Sequence, residues 1–240
     1  MPTILKAQNT EKSLKKLGTK EKAKSSAWFF KTGKGHYGYG DVFVGVSVPE
    51  QRKVAKEYKG LPLAEIGKLL KNKIHECRLT ALLILAWQFR AADEKGKAKI
   101  AKFYLARAKN INNWDLVDVS AGGILGEYLF GKDRRVLYKL AKSKNLWERR
   151  ISIVATFAFI RKKDFTDTFL ISERLFSDKH DLIHKAVGWM LREVGKQSKP
   201  ALVRFLKLNA KNMPRTSLRY AIERFPESER KKFLGIKKSA

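Results

Sequence analysis

Apolar residues recur at every third or fourth position along most of the chain after Pro49. This spacing places them on one face of an α-helix and predicts a series of amphipathic helices. Short polar or proline-bearing joints separate the segments, which lie at residues 49–58, 62–71, 75–91, 97–109, 113–130, 134–141, 146–161, 164–176, 182–196, 200–208 and 214–224. The pattern predicts an all-α protein.

Residues 1–48 follow a different pattern. Residues 1–30 are rich in lysine and weakly apolar, which predicts a helical arm that either contacts DNA or only keeps the chain soluble. Residues 31–48 predict a glycine-rich loop and an extended segment, in which Val42–Val48 is the one stretch with the β-branched residues of a strand. The loop contains a G-x-G-x-x-G spacing, but neither a preceding strand nor a directly following helix accompanies it, as dinucleotide binding would require.

Four helical segments place a basic residue just before small and apolar ones, at Arg78, Arg150, Lys185 and Arg215. The last three start roughly 30 to 35 residues apart, and the first precedes the second by about twice that interval. This recurring pattern predicts an α-solenoid of HEAT-like antiparallel helix pairs over residues 49–233. The pairs are expected to form a single domain of residues 1–240. Basic residues at one position of each pair would line a curved, concave groove wide enough for a duplex.

The charge of the chain indicates a polyanionic partner. Its 240 residues include 52 Lys plus Arg against 23 Asp plus Glu, a formal net charge of +29, and 44% are hydrophobic. That apolar content is ample for one buried core. The charge favours nucleic acid, whose condensed counterions are released on binding. An anionic membrane is the alternative, but the basic residues are spread over the whole length instead of one amphipathic helix.

Cysteine content and hydropathy bear on the compartment. Cys77 is the only cysteine, which excludes a disulfide within the chain and a cysteine-based zinc site. The longest apolar run, residues 81–87, is far shorter than the roughly 20 residues needed to span a bilayer. No apolar stretch behind the first lysine suggests a secretory signal. We expect a cytoplasmic, nucleoid-associated monomer with no membrane and no obligate protein partner.

The segment Asn112–Asp118 reads Asn-Asn-Trp-Asp-Leu-Val-Asp. Trp114 and Asp118 are four residues apart and share one face of a helix, whereas Asp115 points elsewhere and is expected to be a capping or structural acid. A carboxylate such as Asp118 in a chain of such high positive charge suggests a catalytic role. The plainer alternative is a core tryptophan with an aspartate that pairs with a neighbouring arginine.

Later helices add basic and aromatic candidates. Arg149 and Arg150 are adjacent and cannot both face one way, so one is expected to support the groove while the other meets solvent or a glutamate. Trp189 follows Gly188, and a glycine inside a helix costs roughly 1 kcal/mol, which indicates a close approach at that position. A tryptophan buried in the core is the usual alternative for Trp189.

The histidines offer no convincing catalytic set. His180 and His184 have the spacing of a helical metal pair, but no third ligand is evident. His36 and His75 are isolated, with no nucleophile beside them, and no Walker motif is present. We therefore expect neither a metal nor a cofactor.

Three segments, at residues 112–120, 146–153 and 185–196, resemble those of the AlkD-like DNA alkylation repair enzymes, a family of DNA glycosylases built from HEAT-like repeats. The resemblance extends from about Lys31 to Arg224 and includes residues 41–49, which are similar to the segment before the family's first repeats. The patterns Trp-Asp-x-Val-Asp and Gly-Trp-x-Leu-Arg-Glu together are fairly specific.

The resemblance implies a monofunctional glycosylase that releases N3- and N7-alkylated purines from double-stranded DNA, leaves an abasic site and needs no base-flipping pocket. Asn113 stands where the best-known member carries another tryptophan, and the glycine-rich loop is longer here. The residues that the resemblance assigns to catalysis are Trp114, Asp118 and Trp189. With the other basic candidates included, the expected DNA contacts are Arg150, on the family's phosphate-holding arginine, and Arg149, Lys185, Arg192, Arg78 and Arg52.

The chemistry of such lesions suits this set. An N3- or N7-alkylated purine is cationic and departs as a neutral base, so no general acid is required. An ionised Asp118 can stabilise an oxocarbenium-like sugar and guide a water. The indoles can hold the cationic base through cation–π contact. The competing hypotheses are a non-catalytic HEAT-repeat nucleic-acid binder, which has no need of Asp118, and a helical-repeat protein scaffold, for which +29 is excessive.

Overall fold

The computed structural model describes residues 5–236 and is all-α over that range, which confirms the predicted fold class. The extended segment after the glycine-rich loop forms no strand there. Val42 makes only a single parallel bridge to Ile74. None of the described helices is long and apolar enough to cross a membrane.

The chain divides into two compact units, residues 1–120 and 121–240. The helices of unit 1 are α1 (Ala7–Leu17), α2 (Lys20–Phe29), α3 (Val48–Glu57), α4 (Leu63–Leu70), α5 (His75–Ala91), α6 (Glu94–Ala106) and α7 (Trp114–Ser120), with a 3-10 turn at Ala108–Asn110. The single-domain organisation stays a prediction.

Unit 1 is built around α5. This helix of 17 residues is buried on nearly all sides, as expected of a central helix without a polar face. Helices α3, α4 and α7 pack against it. The N-terminal segment also takes part, since α1 buries Ala7, Thr10 and Leu14 at helical spacing and contacts α3, α4 and α5. Helix α1 is therefore part of the packed unit. Its buried apolar face is short and is hard to recognise in a lysine-rich sequence.

Unit 2 begins with a π-helical segment, Ala121–Gly126. Its α-helices are α8 (Glu127–Leu129), α9 (Arg135–Ala141), α10 (Leu146–Ala155), α11 (Phe157–Arg161), α12 (Thr166–Leu175), α13 (Asp181–Gln197), α14 (Lys199–Asn209), α15 (Arg215–Ala221) and α16 (Glu227–Gly235). The predicted segments match these bounds within a few residues, except that residues 113–130 and 146–161 each divide and α16 is additional.

Helix α13 is the centre of unit 2 and contacts α10, α12, α14 and α15. The lack of a side chain at Gly188 allows α13 to approach a neighbouring helix closely. A Cβ at this position would lie 2.4 Å from Cβ of Tyr220 and 2.6 Å from the carbonyl oxygen of Ser217. Both residues belong to α15. The close approach expected at Gly188 is thus made by a neighbouring helix of the protein.

Candidate active site

Helix α7 carries Trp114 and Asp118 one turn apart, and both side chains are partly exposed. Polar side chains bind the amides of its first turn. Asn113 Oδ1 accepts the N–H of Trp114 at 2.8 Å, and Asp115 Oδ1 accepts that of Leu116 at 2.8 Å. These bonds satisfy donors that an isolated helix end would leave without partners, so the position of the helix start is well determined.

Aromatic rings fix the indole of Trp114. Phe30 stacks on it with ring centroids 5.3 Å apart and an interplanar angle of 23°. Phe29 meets it edge-on, at 5.9 Å and 69°. Such pairs contribute about 0.5–1.5 kcal/mol each beyond burial of area. Trp114 is therefore held in one orientation while part of its surface remains accessible.

The surroundings of Asp118 include a buried tyrosine. The hydroxyls of Tyr104 and Ser120 lie 2.9 Å apart in a hydrogen bond. Burial raises the pKa of Tyr104 and outweighs the hydrogen bond from Ser120, which lowers it; the negative charge of Asp118 adds a smaller increase. Tyr104 stays neutral at physiological pH, so the phenol adds no charge beside Asp118.

Behind α7, the imidazole of His75 lies between two carboxylates. Its Nδ1 is 3.1 Å from Asp41 Oδ2, and its Nε2 is 2.7 Å from Asp115 Oδ2. Both neighbours are carboxylates, so the protonated ring, with an N–H on each nitrogen, can donate to both of them. Burial lowers the pKa of His75, but the bonds and charges of Asp115 and Asp41 outweigh it and raise this pKa above its ordinary value of 6.5. The rings of Phe43 and Phe30 cover the imidazolium at 4.7 and 4.9 Å.

Arg78 and Asn113 complete this cluster, which we call the His75 network (Asp41, His75, Arg78, Asn113 and Asp115). Arg78 Nη2 donates to Asp41 Oδ1 at 2.6 Å, and Asn113 Nδ2 donates to Asp41 Oδ2 at 3.2 Å. Burial raises the pKa of Asp41, yet His75, Arg78 and Asn113 together hold it below its ordinary value of 3.8. Two cations and two anions make the network neutral, as burial requires.

The network changes the interpretation of Arg78. This predicted DNA contact is only 4% exposed, and its Nη1 donates to the carbonyl oxygens of Asn72 and Lys73 at 2.8 and 3.1 Å. With its guanidinium occupied inside the protein, Arg78 leaves the set of proposed DNA contacts. Arg52 lies on α3 and is exposed.

In unit 2 the two adjacent arginines of α10 have different partners, and the acid that pairs with Arg149 is an aspartate rather than a glutamate. Arg149 Nε donates to Asp178 Oδ2 at 2.5 Å, and its Nη1 donates to the carbonyl oxygens of Ser143 and Lys144 at 2.9 and 3.1 Å. Arg150 is 5% exposed and donates to the carbonyl oxygen of Leu182. Arg149 is therefore held by an acid and by backbone, which makes it a support for the loop before α10.

Trp189 and Arg192 meet at one carboxylate. Trp189 Nε1 donates to Glu193 Oε1 at 3.2 Å, and Arg192 Nε lies 3.7 Å from the same oxygen. Arg192 also donates to Glu223. The indole is half-buried, with its centroid 6.1 Å from that of Phe157. Lys185, on the same helix, pairs with Asp181 at 2.8 Å.

His180 and His184, which have the spacing of a helical metal pair, each bond to the backbone. His180 Nδ1 accepts the N–H of Leu182 at 3.2 Å as the N-cap of α13, and burial lowers its pKa, which favours the neutral ring that this bond needs. His184 Nε2 donates to the carbonyl oxygen of Asp178 at 2.6 Å. Within residues 5–236 no three His, Cys, Asp or Glu side chains are grouped so that they could hold a metal ion.

Comparison with known proteins bears on this arrangement. A sequence model of the DNA alkylation repair enzyme family matches residues 10–225. The chain belongs to this family. A solved structure from Enterococcus faecalis, described as a predicted DNA alkylation repair enzyme, has a similar fold, with a TM-score of 0.66 and 15% sequence identity over 88% of this chain and 97% of that chain. No curated protein matches the chain.

Family membership gives the chain a role in DNA repair and makes DNA its partner. The structure adds polar residues beside the predicted site that the sequence pattern did not group together. Trp114 and Asp118 stood out by their spacing, whereas the His75 network behind them did not. The one available signal was the polar pair His75 and Glu76 at the start of an otherwise apolar helix. Glu76 is 1% exposed and accepts the backbone N–H groups of Val44, Gly45 and Val46.

Proposed function

We propose that the protein is a monofunctional DNA glycosylase that hydrolyses the N-glycosidic bond of cationic N3- and N7-alkylated purines in duplex DNA. The observation that carries the proposal is the pair on α7. Asp118 is a partly exposed carboxylate one turn from a partly exposed, rigidly held Trp114, in a DNA repair protein of net charge +29. A mere DNA binder gains nothing from an anion at such a place, because it repels phosphates.

The roles follow from the charge that develops as the bond breaks. The departing base takes the bonding electrons and becomes neutral, while the sugar becomes an oxocarbenium-like cation. Asp118 stabilises that cation and accepts a proton from the attacking water. The face of Trp114 binds the cationic nucleotide. For Trp189 we propose a second aromatic contact, with its ring orientation set by the bond to Glu193.

DNA binding is assigned to basic residues outside the His75 network. Arg150 is the proposed phosphate contact on the family resemblance of its segment alone; it is only 5% exposed, so its side chain must turn outward to reach a phosphate. Lys185, Arg192 and Arg52 are further proposed contacts, of which Arg52 is the exposed member on α3. Arg149 has a supporting role through its bonds to Asp178. The base requires no pocket, because the lability of a cationic lesion supplies selectivity.

The test is release of 7-methylguanine or 3-methyladenine from alkylated duplex DNA by the purified protein. Asp118→Asn is expected to keep DNA binding and to lower release by about 10²–10³-fold, as removal of an electrostatic stabiliser does. Asp133→Asn is the matched control, because Asp133 is exposed and pairs only at the surface with Arg135. Hypoxanthine, a neutral damaged base, should be released poorly.

Two outcomes contradict the proposal in different ways. Unchanged release by Asp118→Asn removes Asp118 from the mechanism. Absence of release by the parent protein, with DNA binding intact, favours the non-catalytic nucleic-acid binder.

A further inference from the structure

Helix α2 ends in two aromatic residues that face solvent. Trp28 is 82% exposed and Phe29 is 55% exposed. Tryptophan is seldom so exposed, since burial of its large ring is worth several kcal/mol. We call this pair the aromatic ridge. An exposed indole of this kind marks a place where another molecule binds.

The ridge stands between two open depressions. One, of about 640 Å³, is lined by Lys24, Ser25 and Ser26 together with both ridge residues. The other, of about 590 Å³, shares the ridge and is lined further by residues of the glycine-rich loop, Lys31 and His36 among them. The indole of Trp28 lines both depressions, and a lysine is present in each, Lys24 in the first and Lys31 in the second.

The surroundings of the ridge are strongly positive. Residues 20–34 contain five lysines and a single acid, Glu21. Within residues 5–236 none of these lysines forms an ion pair with a carboxylate. The lysines are Lys20, Lys22, Lys24, Lys31 and Lys34. Their charge is thus available to an anionic partner that also presents a flat, apolar face.

The ridge is continuous with the candidate active site. Phe29 contacts the edge of Trp114, and the next residue, Phe30, stacks on the same indole. The backbone at the ridge is well determined, because the amides of Phe30 and Thr32 donate to the carbonyl oxygens of Ser26 and Ala27 at 2.9 and 3.1 Å. A ligand on the ridge therefore lies beside whatever Trp114 binds.

We propose that the aromatic ridge is a stacking surface for an unpaired nucleobase of DNA next to the damaged nucleotide. Base-on-aromatic stacking beside a basic track is how proteins bind unpaired bases. Bases inside a duplex are already stacked, so an exposed indole gains this contact only from a base that has left the helix. The inference rests on DNA as the partner in the proposed function, but not on its glycosidic chemistry.

A membrane is the other partner that tryptophan and lysine could suit. DNA is favoured because the ridge touches Trp114 and because the chain belongs to a DNA repair family.

The experiment compares two duplexes of one sequence, one fully paired and one with an unpaired 2-aminopurine opposite a tetrahydrofuran abasic analogue. Trp28→Ala is expected to weaken binding of the full chain to the unpaired duplex by about tenfold, and to the paired duplex by less than about twofold. Trp28→Phe should recover most of the loss, since a smaller ring still stacks. Quenching of 2-aminopurine fluorescence by the parent should decrease in Trp28→Ala.

Leu208→Ala is the matched control, because Leu208 is 81% exposed on a helix of unit 2 and should leave both affinities unchanged. Equal loss on the two duplexes, or no loss on either, overturns the inference. So does loss of binding only to vesicles containing phosphatidylserine. Neither duplex can be cleaved at the analogue, so failure of base release leaves this test intact and the two proposals fail separately.

Discussion

The two units support their candidate residues by different physical means. In unit 1, Trp114 and Asp118 lie on a helix whose first turn contacts the His75 network, in which the imidazole of His75 is buried between two carboxylates. In unit 2, Lys185 and Arg192 pair with exposed acids, and the partly exposed Arg149 pairs with Asp178. Both arrangements contain ion pairs, but only the first contains an imidazole, whose pKa is raised above its ordinary value of 6.5.

Because of this difference, the ion pairs of the two units should respond to different solution conditions, salt in one case and pH in the other. Guanidinium and lysine ammonium groups stay charged throughout the physiological range, and their exposed pairs weaken with salt. A buried imidazolium is little screened by salt and loses its charge as the pH rises. The site of unit 1 should respond chiefly to pH, and the basic surface of unit 2 chiefly to ionic strength. The four predictions below test this contrast.

His75→Ala should have the largest effect. It leaves the carboxylates of Asp41 and Asp115 buried with fewer partners, and breaking a buried ionic network costs about 3–5 kcal/mol. Urea denaturation measures this as a drop in the free energy of unfolding. His36→Ala, at an exposed histidine of the glycine-rich loop, is the control and should be neutral within about 0.5 kcal/mol. A loss below about 1 kcal/mol in His75→Ala contradicts the network's importance.

Asp178→Ala should cost less, about 1.5–3 kcal/mol, because it removes charge-assisted bonds to Arg149 and a bond from the amide of His180. Arg149 keeps its carbonyl partners at Ser143 and Lys144 and remains partly solvated. The exposed pair of Asp133 and Arg135 offers a control, since Asp133→Ala should change stability by less than about 1 kcal/mol. Similar losses in both variants would show that Asp178 is no more than a surface acid.

The pH dependence of stability that His75 and Asp41 give unit 1 should be smaller still. The folded pKa of His75 is raised above 6.5, so its contribution is fully present below pH 6.5 and is lost as the pH rises through the folded pKa. Asp41, with a lowered pKa, contributes above its ordinary 3.8 and loses this contribution as the pH falls. A neutral imidazole keeps one N–H donor, which limits the loss.

Denaturation between pH 6.5 and 8.5 measures this effect. The free energy of unfolding of the parent should fall across the range, and that of His75→Gln should fall less. Identical slopes in the two proteins would exclude His75 as the titrating group.

The smallest expected effect is on salt dependence in unit 2. Lys185→Ala should change stability by less than about 1 kcal/mol but reduce the slope of log K against log salt for DNA binding by about 1. Arg135→Ala, at a basic residue that we do not assign to DNA, should keep the parent slope. An unchanged slope in Lys185→Ala would remove Lys185 from the DNA contacts.

The spacing of apolar residues predicted the helices well where the interactions that stabilise a helix are between residues close in sequence. Helices such as α5 and α13 follow from the recurrence of apolar residues along the chain, and the predicted bounds 75–91 and 182–196 agree with the structure within two residues. Local pattern was poorer for α1, because many lysines surround its three buried positions. It also could not place the breaks at Ala121–Gly126 and Thr156, where hydrophobicity continues through the change of helix geometry.

By itself, the sequence determined an all-α protein with the charge of a DNA-binding protein, and it placed Trp114 and Asp118 on one helix face. Each of these depends on composition or on residues within a few helical turns. Only the tertiary structure showed that Arg78 is internal, that α15 requires Gly188, and that His75 bonds to Asp41 and Asp115, which lie 34 and 40 positions away. Burial and charge pairing depend on which distant segments meet, and periodicity along the chain carries no information about that.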